Sequence, residues 1–316
     1  MIVAPGQGAQ TPGFLQPWLE DRTFAPYFSS LSQASGLDLA HYGTEADAET
    51  IRDTKIAQPL LVATGLAAFD LLGTAQSDGE VGAVSGHSVG ELAAAAAAGA
   101  VTAEEAMVLV RERGNAMAEA AAATPTGMTA VLGGDRTEVL ATLEKHGLTP
   151  ANDNGPGQIV AAGTREQLEA LAADPPAKAR LTALSVAGAF HTEHMAPAVG
   201  HLEKVAADVS PRDPGTPVIS NRDGEVVRDG AEVLSRIVGQ IANPVRWDLC
   251  METMRGLGVT GILELPPAGV LTGIAKRNLK GVETFALKTP DQLDDARAFC
   301  ARHAAALPHD SEGASS

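Results

Sequence analysis

The chain has 316 residues, 45% of them hydrophobic and 3% aromatic, with a mean hydropathy of +0.02 and a formal net charge of −16. This is ordinary globular composition, enough for one large domain or a domain with a smaller companion, and its core must be mostly Ala, Val, Leu and Ile. The acidic balance argues against non-specific nucleic-acid binding, and no uninterrupted apolar run reaches the ~18 residues of a membrane span.

Met1 to Gly6 has no basic leader, so it reads as a first strand, Ile2-Val3-Ala4, and not as a signal peptide. It breaks into Pro5-Gly6-Gln7-Gly8-Ala9-Gln10. This loop lacks the Gly-Lys-Ser/Thr of a P-loop, and Thr11 stands where the third glycine of G-x-G-x-x-G belongs. It could still offer backbone N–H groups to an anion. Residues 14–56 read as short helices and loops. Gln58 to Leu72 reads as an apolar helix with Pro59 in its first turn.

A strand over Val81–Val84 then leads into Gly86-His87-Ser88-Val89-Gly90-Glu91, followed by the Ala-rich run Leu92–Ala98. Strand, tight turn and helix around G-x-S-x-G form a nucleophile elbow. The bare pattern arises by chance about 0.15 times in a chain of this composition, so the flanking strand and helix carry the weight. The Val89 amide at the helix start is placed to face an oxyanion.

Thr102-Ala103-Glu104-Glu105 is a capping box opening a helix to about Ala121. At ~100° per residue, Ala106, Val110, Arg113 and Met117 share one stripe, so Arg113 faces inward while Arg111 and Glu112 point away. A buried guanidinium needs an anion, which is either an internal Asp or Glu or a substrate carboxylate.

From Gly127 to about Ala183 the rhythm becomes a compact alternation. Strands are expected at Met128–Leu132, Gln158–Ala162 and Arg180–Leu184, and helices at Thr137–His146 and Arg165–Ala173, with a turn-rich loop over Asn152–Gln158. This is a small α+β unit inserted into the larger domain. His191 lies between a loop and a helix over Glu193–Val209; with His194 it hints at metal, but no third ligand is apparent. Later come a strand at Pro217–Ser220, a turn at Arg222–Glu225, a helix at Ala231–Gly239, a buried strand at Gly261–Leu265 and a helix at Leu271–Leu279, then a small polar tail after Pro308. Cys250 and Cys300 have no metal-type spacing and read as thiols in a reducing cytosol. Lys178, Arg180, Arg246, Lys276, Arg277 and Lys280 form either a local basic patch for an acidic partner or scattered solubilising charge.

Together these residues resemble the malonyl-CoA:acyl carrier protein transacylases. The match runs in family order through Pro5–Gln10, Gly86–Glu91, Val110-Arg111-Glu112-Arg113-Gly114, Asn152–Gln158, Gly188-Ala189-Phe190-His191, Asn243-Pro244-Val245-Arg246-Trp247 and Leu271–Arg277. One departure is Leu265-Pro266-Pro267-Ala268-Gly269, where the family shows Gly-Pro-Gly.

The resemblance implies an α/β fold: an α/β-hydrolase-like core over residues 1–124 and 188–308, a ferredoxin-like subdomain over 125–187, and a disordered tail at 309–316. It makes Ser88 the nucleophile and His191 the base, with the amides of Gln7 and Val89 as oxyanion hole. Arg113 holds the malonyl carboxylate, the Gln240 main-chain carbonyl orients His191, and His87, Asn154 and Phe190 line the substrate. It implies malonyl-CoA and an acyl carrier protein as partners in fatty-acid or polyketide synthesis. It implies no cofactor, metal, nucleic acid or membrane, and a monomer in the cytoplasm. A chain starting in its first strand and ending in a loose tail fits a free-standing enzyme more than an excised synthase domain. The rivals are a serine esterase or thioesterase, which would gain nothing from Arg113, and a non-enzymatic module that recruits a carrier protein.

Overall fold

The structure, a computed structural model, describes residues 1–73 and 81–304. The tail expected at 309–316 lies outside them. β1 (Ile2–Ala4) is followed by α1 (Gln16–Leu19), α2 (Phe24–Ser35), α3 (Leu39–Thr44) and the long α4 (Thr54–Leu72). β2 (Val84–Gly86), α5 (Gly90–Ala97) and α6 (Ala103–Ala123) come next. A compact stretch then runs through β3 (Thr126–Gly133), α7 (Arg136–Lys145), β4 (Thr149–Asp153), β5 (Gln158–Thr164), α8 (Arg165–Ala173) and β6 (Ala179–Ala183). The chain returns through α9 (Ala196–Ala206), β7 (Val218–Ile219), β8 (Val226–Val227), α10 (Gly230–Gln240), β9 (Val245–Arg246), α11 (Trp247–Gly256), β10 (Gly261–Glu264), α12 (Val270–Asn278), β11 (Glu283–Ala286) and α13 (Leu293–Ala304).

The strands form two sheets. The larger has the order β11-β10-β1-β2-β7-β8, parallel except for the β7–β8 pair. β1, β2 and β10 are buried along their whole length, as strands covered on both faces must be. The smaller sheet has the order β6-β3-β5-β4-β9, antiparallel except for the β4–β9 pair. β9 comes from outside the compact stretch, so the returning chain completes this sheet. The carboxyl ends of β1 and β2, adjacent at the centre of the parallel sheet, lead into the Pro5–Gln10 loop and the Ser88 turn. Open parallel sheets place their ligand crevice at such ends.

Several elements depart from expectation. α4 begins at Thr54, capped by the Asp53 carboxylate on the Lys55 amide, so Pro59 lies inside the helix and not in its first turn. The helix tolerates the missing N–H because it is held on its flanks by α2, α5 and α6. By length and composition α4 could cross a bilayer, but 78% of that window is buried in the core. β2 starts three residues later than expected, where Val84 and Ser85 pair with both β1 and β7. β4 was not expected as a strand. Its Thr-Pro-Ala-Asn-Asp sequence is poor in strand formers, and pairing with β5 and β9 imposes the extended form. α6 matches its signature: Thr102 Oγ1 accepts from the Glu105 amide at 3.1 Å and Glu105 from the Thr102 amide at 2.7 Å. Cys250 and Cys300 are buried thiols that form no disulfide.

Candidate active site

The turn between β2 and α5 carries Ser88 at φ +54°. A non-glycine residue in this left-handed region is strained and persists only where its surroundings hold it. Two glycines make the turn possible. A Cβ on Gly86 would stand 1.9 Å from the Gly90 carbonyl carbon, and one on Gly90 would stand 2.3 Å from the Ala4 oxygen. The turn therefore passes directly over the end of β1. Asn221 clamps it from the far side: its Oδ1 accepts from the Ser88 amide at 2.8 Å, and its Nδ2 donates to the Gly86 carbonyl at 2.7 Å.

The Ser88 Oγ lies 2.7 Å from His191 Nε2, and His191 Nδ1 lies 2.9 Å from the main-chain oxygen of Gln240. A carbonyl can only accept, so Nδ1 carries the proton and Nε2 is left as the acceptor for the Ser88 hydroxyl. His191 also has positive φ, +61°, and its amide donates to the Ile241 carbonyl at 3.1 Å. Burial, then the nearby Arg113 charge, push its pKa down to about 3. The ring is neutral in the free protein.

Arg113 is fully buried on the inner stripe of α6, with Ala106, Val110 and Met117 beside it. Among the described residues its guanidinium does not meet a carboxylate as an internal ion pair would. Nη1 donates to Gln58 Oε1 at 2.6 Å, and Nη2 to Gln240 Oε1 at 2.9 Å and to Ser88 Oγ at 3.4 Å. Its Nε has no partner among the described residues. These partners are neutral oxygens, and burial lowers its pKa to about 10 without discharging it near neutrality. The site thus holds a desolvated cation beside a serine–histidine pair, with room in its coordination for an anion.

A cleft of about 250 Å³ opens over Ser88. Gln7, His87, Asn154, Phe190 and His191 line it, and Met117, Met128, Val160, Leu184 and Val186 supply an apolar wall. The amides of Gln7 and Val89 are not engaged by other groups among the described residues. The Gln7 side chain is turned away, with Nε2 donating to the Arg52 carbonyl at 3.1 Å. His87 Nε2 meets Asn154 Oδ1 at 2.8 Å, tying the serine turn to the end of β4. Beside the Leu265–Gly269 departure, Glu264 at the end of β10 caps α12. Its carboxylate accepts from the amides of Gly269, Leu271 and Thr272.

All nine sequence-derived residues therefore fall in one place or in direct contact with it. Three others were missed. Gln58 was read only as a helix start, and Asn221 fell between the strand at Pro217–Ser220 and the turn at Arg222–Glu225 with no reading of its own. Glu91 stood inside the serine motif with no role assigned. None had a signal that separates a structural amide or carboxylate from a functional one.

The chain matches a family model described as acyl transferase domain over residues 1–301. It is 52% identical over 295 residues to a malonyl CoA-acyl carrier protein transacylase of Mycobacterium tuberculosis, covering 93% of this chain and 98% of the relative. The corresponding protein of Bacillus subtilis is 33% identical, covering 92% and 93%. A crystal structure of the M. tuberculosis enzyme superposes with a TM-score of 0.90 at 52% identity, covering 94% and 98% of the two chains. A malonyl-transacylase solved in complex with a type II polyketide acyl carrier protein superposes at 0.87 with 30% identity, covering 94% and 98%. With that coverage and identity over a shared fold, the chain belongs to the malonyl-CoA:acyl carrier protein transacylase family of acyl transferases.

Proposed function

We propose that the protein moves a malonyl group from malonyl-CoA to the phosphopantetheine thiol of an acyl carrier protein through a malonyl ester on Ser88. The observation that carries this reading is Arg113: a buried guanidinium, 3.4 Å from the Ser88 hydroxyl, bound among the described residues only by neutral oxygens. A hydrolase of simple acyl esters has no use for it. A carboxylate brought up beside these neutral oxygens, where Nε has no partner among the described residues, would satisfy the charge through a bidentate fork.

The step runs as follows. The Ser88 Oγ attacks the thioester carbon while its proton passes to His191 Nε2, and the Gln240 carbonyl holds the ring in the accepting tautomer. The tetrahedral oxyanion is received by the Gln7 and Val89 amides, where losing one donor costs about 3 kcal/mol. Collapse breaks the C–S bond, and His191 returns the proton to the departing thiolate. The carrier thiol then attacks the malonyl ester, gives its proton to His191, and Ser88 leaves with it. Substrate and protein residues account for every atom and proton, so the reading assigns no cofactor.

The compact stretch, 125–187, is read as a ferredoxin-like subdomain. Its β-α-β-β-α-β sequence with strand order β6-β3-β5-β4 supports this. The remainder, 1–124 and 188–308, is read as a hydrolase-like core. Two buried thiols suit a reducing cytoplasm. Phe190 lines the cleft next to His191 and is read as limiting the space beside the malonyl α-carbon, so malonyl should outrun methylmalonyl. Comparable kcat/KM for the two thioesters would refute that preference.

Intact mass after brief mixing with malonyl-CoA tests the whole reading. A malonyl adduct is expected on the wild type, absent in Ser88→Ala and reduced in Arg113→Ala. Steady release of coenzyme A into water with no adduct would instead identify a hydrolase.

A further inference from the structure

Behind Ser88, on the side away from the cleft, lies a buried carboxyl group that the reaction above does not use. Glu91 sits in the first turn of α5 and is 3% exposed. Both of its oxygens face donors. The Asn221 amide donates to Oε1, and the Gln240 side-chain Nε2 donates to Oε2. These two partners reach the machinery. Gln240 Nε2 also donates to the Ser88 carbonyl at 3.1 Å, its Oε1 accepts from Arg113, and its main-chain oxygen accepts from His191. Asn221 holds the Ser88 amide and the Gly86 carbonyl.

We propose that Glu91 is a positioning residue: its carboxylate, acting through Gln240 and Asn221, holds the strained Ser88 turn, the His191 ring and the Arg113 guanidinium in one frame, and it does so only when ionised. This deepens the acyl-serine reading and rests on it. The argument is one of donors and acceptors. Gln240 has one side-chain oxygen and one side-chain nitrogen, and Arg113 needs the oxygen. The nitrogen must then point the other way, into a group that can accept. A carboxylate accepts on both oxygens; a carboxylic acid turns one into a donor, which would face either the Asn221 amide or the Gln240 amide head-on. Protonation therefore sets donor against donor at one of these two contacts, and Gln240, left with the Ser88 carbonyl at 3.1 Å and Asn221 Oδ1 at 3.2 Å as acceptors, holds the segment that carries the His191 acceptor less tightly.

Among the described residues the charges around Glu91 are few. Arg113 comes from α6 and Arg236 from α10, both favouring the anion, and Cys250 comes from α11, its thiol held protonated by burial. β1 and β2 carry no charged residue, and the two on α4, Lys55 and Asp70, are exposed. Burial outweighs the two hydrogen bonds and the two arginines and raises the Glu91 pKa to about 7. The switch from acid to carboxylate thus falls in the neutral range. His191 at about 3 and Arg113 at about 10 do not titrate there.

The test is single-turnover acylation of Ser88 by malonyl-pantetheine, which lacks the ionising phosphates of coenzyme A. Adduct formation is followed from pH about 5.5 to 8.5 and the rate is expressed per acylatable site. The wild-type rate is expected to rise with pH through a limb near neutrality. In Glu91→Gln the limb is expected to vanish and the rate per site to fall at least about tenfold. A merely structural role would lower the number of acylatable sites and leave the rate per site and its pH profile unmoved. A flat wild-type profile overturns the proposal, as does a limb that survives in Glu91→Gln, which would then belong to another group. If Glu91→Gln does not fold, Glu91→Asp replaces it: the limb is expected to move, and an unmoved limb overturns the proposal. No adduct at any pH on the wild type is a different failure, that of the acyl-serine reading itself.

Discussion

His191 and Arg113 share one electrostatic problem. The guanidinium that suits a malonyl carboxylate also repels a proton from the base 2.7 Å from Ser88, and it is the second cause of the low His191 pKa after burial. When a substrate carboxylate pairs with Arg113, that repulsion is cancelled and His191 becomes a better base. Arg113→Ala is therefore expected to lower malonyl acylation about 10- to 100-fold, the worth of a charge-assisted pair, and to narrow the malonyl-over-acetyl ratio in acylation rate as well as in binding. Parallel single-turnover rates with the two thioesters check this; an unchanged ratio would remove Arg113 from the carboxylate role. The same shift has a sign in stability. The folded His191 resists protonation down to about pH 3, whereas the unfolded side chain accepts a proton near its ordinary 6.5. The unfolded state thus binds the extra proton between those values, and stability is lost as pH falls through that window. His191→Asn is expected to flatten this part of the denaturation curve. It should also cut acylation by the factor of about 10²–10⁴ typical of a general base.

The elements that carry these residues differ in how plainly the chain announces them. α6 was legible because two local rules agree in it: Thr102 and Glu105 satisfy each other's amides, and the apolar stripe ending at Met117 sets the direction of Arg113. The serine turn was legible because Gly86 and Gly90 have no substitute where the backbones cross. β4 and the Asn221 clamp were not legible, since both are dictated by partners far off in the chain: Asn152 pairs with Val245, and Asn221 bonds Gly86 and Ser88. This contrast can be measured with two variants. Thr102→Ala removes one cap and is expected to cost about 1 kcal/mol with acylation intact. Gly90→Ala drives a Cβ to 2.3 Å from the Ala4 oxygen, so β1 or the turn must shift. A displacement of that kind at a nucleophile costs on the order of a hundredfold in rate. Adduct formation beside a thermal melt separates the two; a fully active Gly90→Ala would show that the crossing is looser than its geometry.

At the scale of the molecule, the cleft draws its lining from both sheets, with Gly6 to Ala9 and Ser88 following β1 and β2 and Met128, Asn152 and Val160 lying on β3, β4 and β5, and the attachment of the smaller sheet was not legible. Alternating strand and helix signals announce β3, α7, β5, α8 and β6 locally. The tie is made by β9 adding to β4, by His87 reaching Asn154, and by a chain of charges. In that chain Arg136 of α7 reaches Asp153 at the end of β4 and, at 3.4 Å, Asp248 of α11, which also takes both Arg246 Nε and Nη2 at 2.9 and 2.7 Å. Asp153 is the buried member, 3% exposed, and its other oxygen accepts from the Gly155 amide at 3.1 Å. Asp153→Ala strands that buried amide and leaves Arg136 only its long contact to Asp248. The expected loss is about 1–3 kcal/mol, a fall in Tm of roughly 1–2 °C for each kcal/mol in a chain of this size. Because Asn154 is the next residue and holds His87 beside Ser88, KM for the malonyl donor should rise with it. Asp248→Ala breaks contacts to two half-exposed arginines while Asp153 keeps both Arg136 and Gly155, so its effect on Tm and KM should be distinctly smaller. Melting curves and donor KM for the pair decide the matter: equal losses would mean that the junction is held by the whole charge chain, and the predicted order would mean that the buried carboxylate at the end of β4 sets the position of the cleft wall.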